Sequence, residues 1–180
     1  MLFRSPAAAE QTLLRFARMM RYVLDTSRGA TDRVTLQEEL DFVRDYLELE
    51  ALRLGSRLRV EWLIDPATVN EPIPPLTLQP LVENCIVHGI APLLQGGTVR
   101  IETRLLAGPA ALALRVADDG AGCTWPPLPS STTASSGVGL SALRRRFELD
   151  FGGHARLLVR SAPGAGFHVE ILIPHSQLHA

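Results

Sequence analysis

Apolar residues recur every three or four positions across residues 8–26, at Leu13, Phe16, Met20, Val23 and Leu24, with Arg15, Arg18 and Arg21 on the opposite side. This spacing predicts an amphipathic helix. Its single apolar stripe needs a cover, either the domain behind it or a second copy of itself. The linker 26–33 contains Gly29 and ends that helix. A second helix is predicted from Thr35, where Glu38 completes a capping box, to about Leu54, with Gly55 as its stop. Its apolar positions Leu40, Val43, Leu47 and Leu54 share one face. The period then changes to two: Leu58, Val60, Trp62 and Ile64 alternate with Arg57, Arg59 and Glu61, predicting a half-buried strand. Ile73-Pro74-Pro75 reads as an extended lead-in to a further helical segment. Residues 99–105 and 111–117 predict two strands, joined as a hairpin at Gly108-Pro109. Between 123 and 136, Pro126, Pro127 and Pro129 precede a run of Ser and Thr with almost no large apolar group. Such a stretch is expected to be mobile rather than packed. Leu140 to about Phe151 predicts a helix, and residues 155–160 and 167–173 predict two last strands around the turn Pro163-Gly164-Ala165-Gly166. No internal repeat is present. The order of elements predicts an α/β fold, a two-layer sandwich of one mixed β-sheet covered by helices on one face, preceded by an N-terminal helical segment.

Composition narrows the function. Apolar residues make up 46% of the 180, enough for a full core. A net charge of -1 gives no reason to expect nucleic acid or an anionic membrane as a partner. All 18 basic residues are Arg, which excludes a P-loop lysine, a Schiff-base lysine and a kinase-type strand lysine together. Cys85 and Cys123 are too few for a disulfide scaffold or a structural zinc site, and both are read as reduced and cytoplasmic. No apolar run reaches the roughly 18 residues of a membrane span. Arg4 is followed by Ser5-Pro6 rather than by the apolar core of a signal peptide. Membrane spans upstream in a longer parent protein are compatible with this.

The chemistry concentrates in three places. Leu81-Val82-Glu83-Asn84-Cys85-Ile86-Val87-His88-Gly89 sets a carboxylate beside an amide on an otherwise apolar helical segment. Asn84 can give an amide oxygen to Mg²⁺, Glu83 can act as a base or orient an attacking group, and His88 can reach a phosphate. Read blandly, the pair caps a helix end through backbone hydrogen bonds and the lone His is structural. Asp118-Asp119-Gly120-Ala121-Gly122 ends an apolar strand. Alone it is a turn signal. A buried Asp118 would instead accept from the exocyclic amine of adenine and repel the oxygen of guanine. Gly137-Val138-Gly139-Leu140 opens a helix, whose N-terminus can bind phosphate or merely cap a loop. Arg144-Arg145-Arg146 is a solvated face or a phosphate contact, and Gly164 and Gly166 a plain hairpin or a turn under a nucleotide base. The three motifs in this order, with strands between them, point to an ATP site.

These residues resemble the LytS-like sensor histidine kinases, whose ATP-binding half has the Bergerat fold shared with gyrase, Hsp90 and MutL. The resemblance runs from 36–54 through 73–89, 118–122 and 137–140 to Ser161-Ala162-Pro163-Gly164-Ala165-Gly166. It implies that Asn84 binds Mg²⁺, that Glu83 is its acidic neighbour and that Asp118 binds adenine. Gly120, Gly122, Gly137 and Gly139 would be the phosphate- and base-facing glycines, and 123–136 the ATP lid. ATP and Mg²⁺ are the implied cofactors. A response regulator, often of the LytTR DNA-binding type, and a second copy joined through the N-terminal helices are the implied partners.

Three positions depart from that family. Val87 precedes His88 where a phosphate-contacting Lys is usual, Phe167 follows the last Gly where Thr is usual, and the Pro-His-Phe segment carrying the phosphoacceptor His is missing. The expectation is therefore a fragment: residues 1–55 as a partial dimerisation and linker segment, 56–180 as the ATPase domain. Its reaction would be transfer of the ATP γ-phosphoryl to a histidine outside the chain. A non-catalytic nucleotide sensor or dimerisation module of the same fold is the alternative. A gyrase-like clamp lacks its Lys-bearing second domain.

Overall fold

The computed structural model describes residues 6–27, 32–108, 110–125 and 135–179. Helix α1 (Pro6–Ser27) leads, after the two-residue strand β1 (Val34–Thr35), into α2 (Leu36–Leu54). The capping box forms as the sequence predicts: Thr35 Oγ1 accepts from the Glu38 N–H, and the Glu38 carboxylate accepts from the Thr35 N–H at 2.8 Å. Gly55 ends the helix with φ 59°. Leu36, Leu40, Val43, Leu47 and Leu54 are buried along one face, and each large side chain so buried contributes about 1.5–3 kcal/mol. After β2 (Leu58–Ile64), β3 (Pro72–Ile73) pairs antiparallel with β1 and feeds α3 (Gln79–Asn84). The helix continues as a π-helical turn, Cys85–Ile90.

The other strands are β4 (Gly97–Ala107), β5 (Ala110–Asp118), β6 (Arg156–Ser161) and β7 (Phe167–Pro174), with α4 (Ser135–Phe151) between β5 and β6 and α5 (His175–Leu178) at the end. They form one sheet in the order β2-β4-β5-β7-β6. Only the β2–β4 pair is parallel, so the sheet is mixed as expected. Val99, Ile101, Leu112, Leu114, Val116, Val169, Ile171 and Ile173 are buried on one face and join α2, α3 and α4 in a single core. The other face carries charge: Arg100 pairs with Glu61 at 2.7 Å, Arg115 with Glu102 at 3.2 Å and with Glu170 at 2.7 Å. A sheet that is apolar on one side and ion-paired on the other needs helices on one side only, which gives two layers.

Two expectations are corrected, and the choice left open for α1 is narrowed. The Arg side of α1 meets α2, with Arg18 forked on Asp45 at 2.8 and 2.6 Å and the tilted rings of Tyr22 and Phe42 4.9 Å apart, so the domain does not cover the apolar stripe. Val23 packs inward, while Leu13, Phe16, Met20 and Leu24 stay exposed. The helix expected from Leu140 begins at Ser135, so Gly137 and Gly139 lie inside its first turns. Of the stretch 123–136 expected to be mobile, residues 126–134 lie outside the described residues, while Trp125 is packed against the body. The short β1, β3 and α5 carry too few residues to show a period.

Candidate functional site

Strand β5 ends on Asp118, whose carboxylate is only 3% exposed. Register places it between Val99 of β4 and Phe167 of β7. Its Oδ1 accepts from the Gly120 N–H at 2.8 Å, an Asx turn that fixes the rotamer. Its Oδ2 has no hydrogen-bond partner among the described residues. The Cys85 thiol faces this carboxylate, but a thiol is a weak donor. Burial pushes Asp118 above the ordinary carboxylate range, with the Gly120 N–H and Cys85 opposing it in part. A buried acceptor left open is costly, so its lone pairs mark a place for a donor from outside the chain.

Backbone walls this carboxylate in. The π-helical turn carries Ala91 N–H back to the Ile86 carbonyl at 2.9 Å and swings Gly89 against Asp118. A Cβ at Gly89 would stand 2.6 Å from Oδ1, so only hydrogen fits there. Gly166, at φ 72°, is pressed so close that a Cβ would lie 2.0 Å from the Asp118 carbonyl oxygen. The loop after Asp118 is held from both sides: Ala121 donates to the Gly89 carbonyl at 3.0 Å and accepts from Gly164 at 2.7 Å. Cys123 N–H donates to Ser161 Oγ at 2.9 Å, and that hydroxyl donates to the Gly166 carbonyl at 2.7 Å.

Of the residues expected from sequence, Asn84, His88 and Gly122 line one small cavity of about 40 Å³ beside Gly89, with Cys123, Trp125 and Phe167. Asn84 is half-buried and His88 exposed. Trp125 closes the cavity edge-on over Phe167, the ring centres 6.0 Å apart. Glu83 is not among these lining residues; its exposed carboxylate accepts from Gln79 Nε2 at 2.6 Å. Gly120 is buried behind Gly89. Gly137 and Gly139 sit in the opening turns of α4, where a Cβ on Gly139 would come 3.9 Å from Pro80 of α3. That contact brings the start of α4 beside the helix bearing Asn84. Leu140 is buried in the core, so it anchors this turn by packing. In the Arg run, Arg144 and Arg145 are exposed and Arg146 donates to the Pro75 carbonyl at 2.5 Å. A hollow of about 490 Å³ between α1 and α2 shares no residue with this cluster.

One residue that sequence reasoning missed supports the site from behind. Glu39 of α2 is fully buried. It accepts from the N–H groups of Leu76 and Leu78 and from the Tyr22 hydroxyl, the Leu78 bond being 2.8 Å. Burial raises its carboxyl above the usual range despite these three donors. It pins the segment 74–78, where Leu76 takes the left-handed φ of 57°, and that segment aims α3. The signal was present: position 39 lies three after Leu36 and four before Val43, on the apolar face.

Residues 74–177 match the family model described as histidine kinase-, DNA gyrase B- and HSP90-like ATPase, and residues 1–58 match one described as histidine kinase. The sensor histidine kinase YesM of Bacillus subtilis is 36% identical over 143 residues, 79% of this chain and 24% of that protein. The sensor protein LytS of Enterococcus faecalis is 30% identical over 175 residues, 94% of this chain and 29% of that protein. The chain thus spans about a quarter of the length of these relatives. Among solved structures, the histidine kinase domain of the blue-light activated histidine kinase EL346 of Erythrobacter litoralis superposes with a TM-score of 0.60 at 21% identity, over 93% of this chain and 76% of that one.

Proposed function

Because this chain belongs to the histidine kinase-, DNA gyrase B- and HSP90-like ATPase family, we propose that it is the ATP-binding catalytic region of a two-component sensor histidine kinase. One observation carries the reading: a buried carboxylate with an oxygen unpartnered among the described residues, walled by backbone at Gly89 and Gly120. Ionised Asp118 accepts from the exocyclic amine of adenine at Oδ2, where guanine would present a second acceptor. The glycine walls let a flat base lie against backbone. Half-buried Asn84 offers its amide oxygen to Mg²⁺. Bound Mg²⁺ supplies charge neutralisation for a loose phosphoryl-transfer transition state. The first turns of α4, with Gly137 and Gly139, present free N–H groups to phosphate. His88 at the cavity rim adds a further contact. Glu83, once it exchanges Gln79 for the substrate, orients the attacking imidazole or takes its proton. The acceptor is a histidine outside this chain, and an aspartate of a response regulator, of LytTR type, receives the group next.

In this reading residues 1–55 are the dimerisation and linker segment and 56–180 the ATPase domain. The exposed stripe Leu13, Phe16, Met20 and Leu24 is covered by a second copy. The region works in the cytoplasm, its parent anchored in the inner membrane. Among the described residues no helix is long and apolar enough to cross a membrane.

Calorimetric titration tests the assignment. ATP binds tighter than GTP, and Asp118→Ala loses about 1.5–3 kcal/mol, a charged hydrogen bond left unmade. Equal affinities for ATP and GTP would sink it. Asn84→Ala weakens Mg²⁺–ATP binding and spares metal-free ADP; equal loss of both refutes the magnesium role. One observation favours the nucleotide-sensor alternative: Val87, 45% exposed, stands where the family carries Lys. Labelled ATP with an added acceptor helix decides between them, since the sensor binds ATP and labels nothing.

A further inference from the structure

Glu71 stands just before β3, and its carbonyl accepts from the N–H of Leu36, the first residue of α2, at 2.9 Å. Its carboxylate side chain is only 11% exposed. The end of the chain returns to it. Directly after β7, His175 opens the four-residue α5 and His179 follows its last residue. Nε2 of His175 lies 3.3 Å from Glu71 Oε1, and Nε2 of His179 lies 3.1 Å from Oε2. The imidazole centres are 4.8 Å apart, and one ligand atom from each of the three residues falls within 4.8 Å of the others.

An ion pair and a metal site differ in their spacings. Charge-assisted N–H···O⁻ bonds close to about 2.7–2.9 Å. Two atoms bound to one tetrahedral ion at about 2.0–2.1 Å stand roughly 3.3 Å apart. The nitrogen–oxygen separations here, 3.3 and 3.1 Å and each to a different oxygen of Glu71, are longer than the first figure and close to the second. The third edge, between the imidazoles, closes by rotation of His179, whose side chain is 53% exposed. Two imidazoles with one carboxylate suit Zn²⁺ and its first-row neighbours, whereas Mg²⁺ and Ca²⁺ prefer oxygen ligands throughout. Three protein ligands leave a fourth position for water.

We propose that Glu71, His175 and His179 bind one divalent cation of the Zn²⁺ class, clamping the C-terminal turn onto the joint between α2 and β3. This cysteine-free site shares no residue with the Asn84–Asp118 cluster and does not depend on the nucleotide assignment. Its place gives it a structural effect. The Glu71 carbonyl fixes the start of α2, and β3 runs on into the 74–78 segment gripped by Glu39. An ion here ties the tail, the helical stem and that segment together.

The test uses the chelator-stripped full chain. Zn²⁺ is titrated against a chromophoric chelator, and Co²⁺ is added separately to read its ligand-field absorption. One ion binds per chain, a large excess of Mg²⁺ does not displace it, and Co²⁺ gives the intense bands of a tetrahedral nitrogen–oxygen site. His179→Ala, at an exposed position that leaves folding intact, weakens Zn²⁺ at least about 100-fold, since even outer-shell partners of metal ligands carry 10–100-fold. Glu71→Gln does the same. With free Zn²⁺ about 100-fold above Kd, the unfolding midpoint of the native chain rises by roughly 5–10 °C, and that rise vanishes in His175→Ala/His179→Ala. Absence of stoichiometric Zn²⁺ binding overturns the proposal, as does equal affinity in the native chain and the double variant.

Discussion

Replacing Glu39 by alanine removes the acceptor of three donors at once. Two are backbone N–H groups, of Leu76 and Leu78, and the third is the Tyr22 hydroxyl. An unsatisfied buried donor costs about 1–3 kcal/mol. Tyr22 borders the hollow between α1 and α2 and can turn toward water there, so only the two backbone groups count in full, about 2–6 kcal/mol. Against this stands the relief of removing a buried charge, whose cost shows in the raised carboxyl of Glu39. The net expectation is a loss of about 2–4 kcal/mol, or roughly 4–16 °C in melting midpoint for a chain of this size. Urea denaturation followed by far-UV circular dichroism reads it directly. Glu39→Gln keeps one acceptor oxygen but turns an NH₂ group toward a donor, so it loses nearly as much. Tyr22→Phe alone loses about 1 kcal/mol, and a double-mutant cycle between the two returns a coupling of about 1 kcal/mol. Because Leu76 and Leu78 lead into α3, ATP affinity in Glu39→Gln also falls. A loss below about 1 kcal/mol for Glu39→Ala, or a Gln variant matching the native chain, would refute the role given to this carboxylate.

Other outcomes follow from the same geometry. Gly89→Ala drives a methyl group into Asp118 Oδ1; it lowers stability by about 1–3 kcal/mol and ATP affinity at least tenfold, and calorimetry showing native affinity contradicts the close approach. Since Asp118 is held above the ordinary carboxylate pKa of about 3.9, the folded state binds the extra proton between that value and its raised one. Stability therefore falls as pH rises through that window, while ATP affinity rises as the acceptor ionises. Asp118→Asn removes this contribution, so urea midpoints measured across the window give a flatter profile than the native chain; an unchanged slope rules the coupling out. Of the two free thiols, Cys85 is buried and pushed up by burial and by Asp118, so a thiol reagent titrates Cys123 alone in the folded chain, and ATP slows that reaction because Cys123 lines the cavity. Two fast thiols would contradict this.

The layers of the fold were legible because each element announces its period. The capping box of Thr35 and Glu38, the two-residue alternation of 58–64 and the hairpin strands are local patterns, set by neighbours in sequence. The orientation of α1 was not legible. An apolar stripe normally faces inward, and here Asp45 and Glu48 of α2 draw Arg15 and Arg18 instead. That choice depends on charges 27 and more positions away, which no window on α1 contains. Nor could the π-helical turn be read, because its wider repeat needs the same apolar residues as an α-helix.

That turn decides how the motif residues meet. In a regular α-helix His88 would stack one turn above Asn84 and Gly89 would follow round the axis. The wider Cys85–Ile90 turn keeps Asn84 and His88 on one cavity and presents the bare backbone of Gly89 to Asp118. The sequence motifs thus show which groups are available, an amide, an imidazole and a carboxylate at the end of β5. They do not show that the carboxylate retains an unpartnered oxygen, because that depends on Gly120 satisfying one oxygen and on the Gly89 backbone leaving the other open. In the proposed assignment, selectivity for a donor-bearing base rests on that remaining lone pair. It follows that substitutions which never touch a ligand, at Gly89 or Gly166, act on recognition by moving the wall around Asp118, and that their effect on ATP exceeds their effect on metal-free phosphate binding at the start of α4.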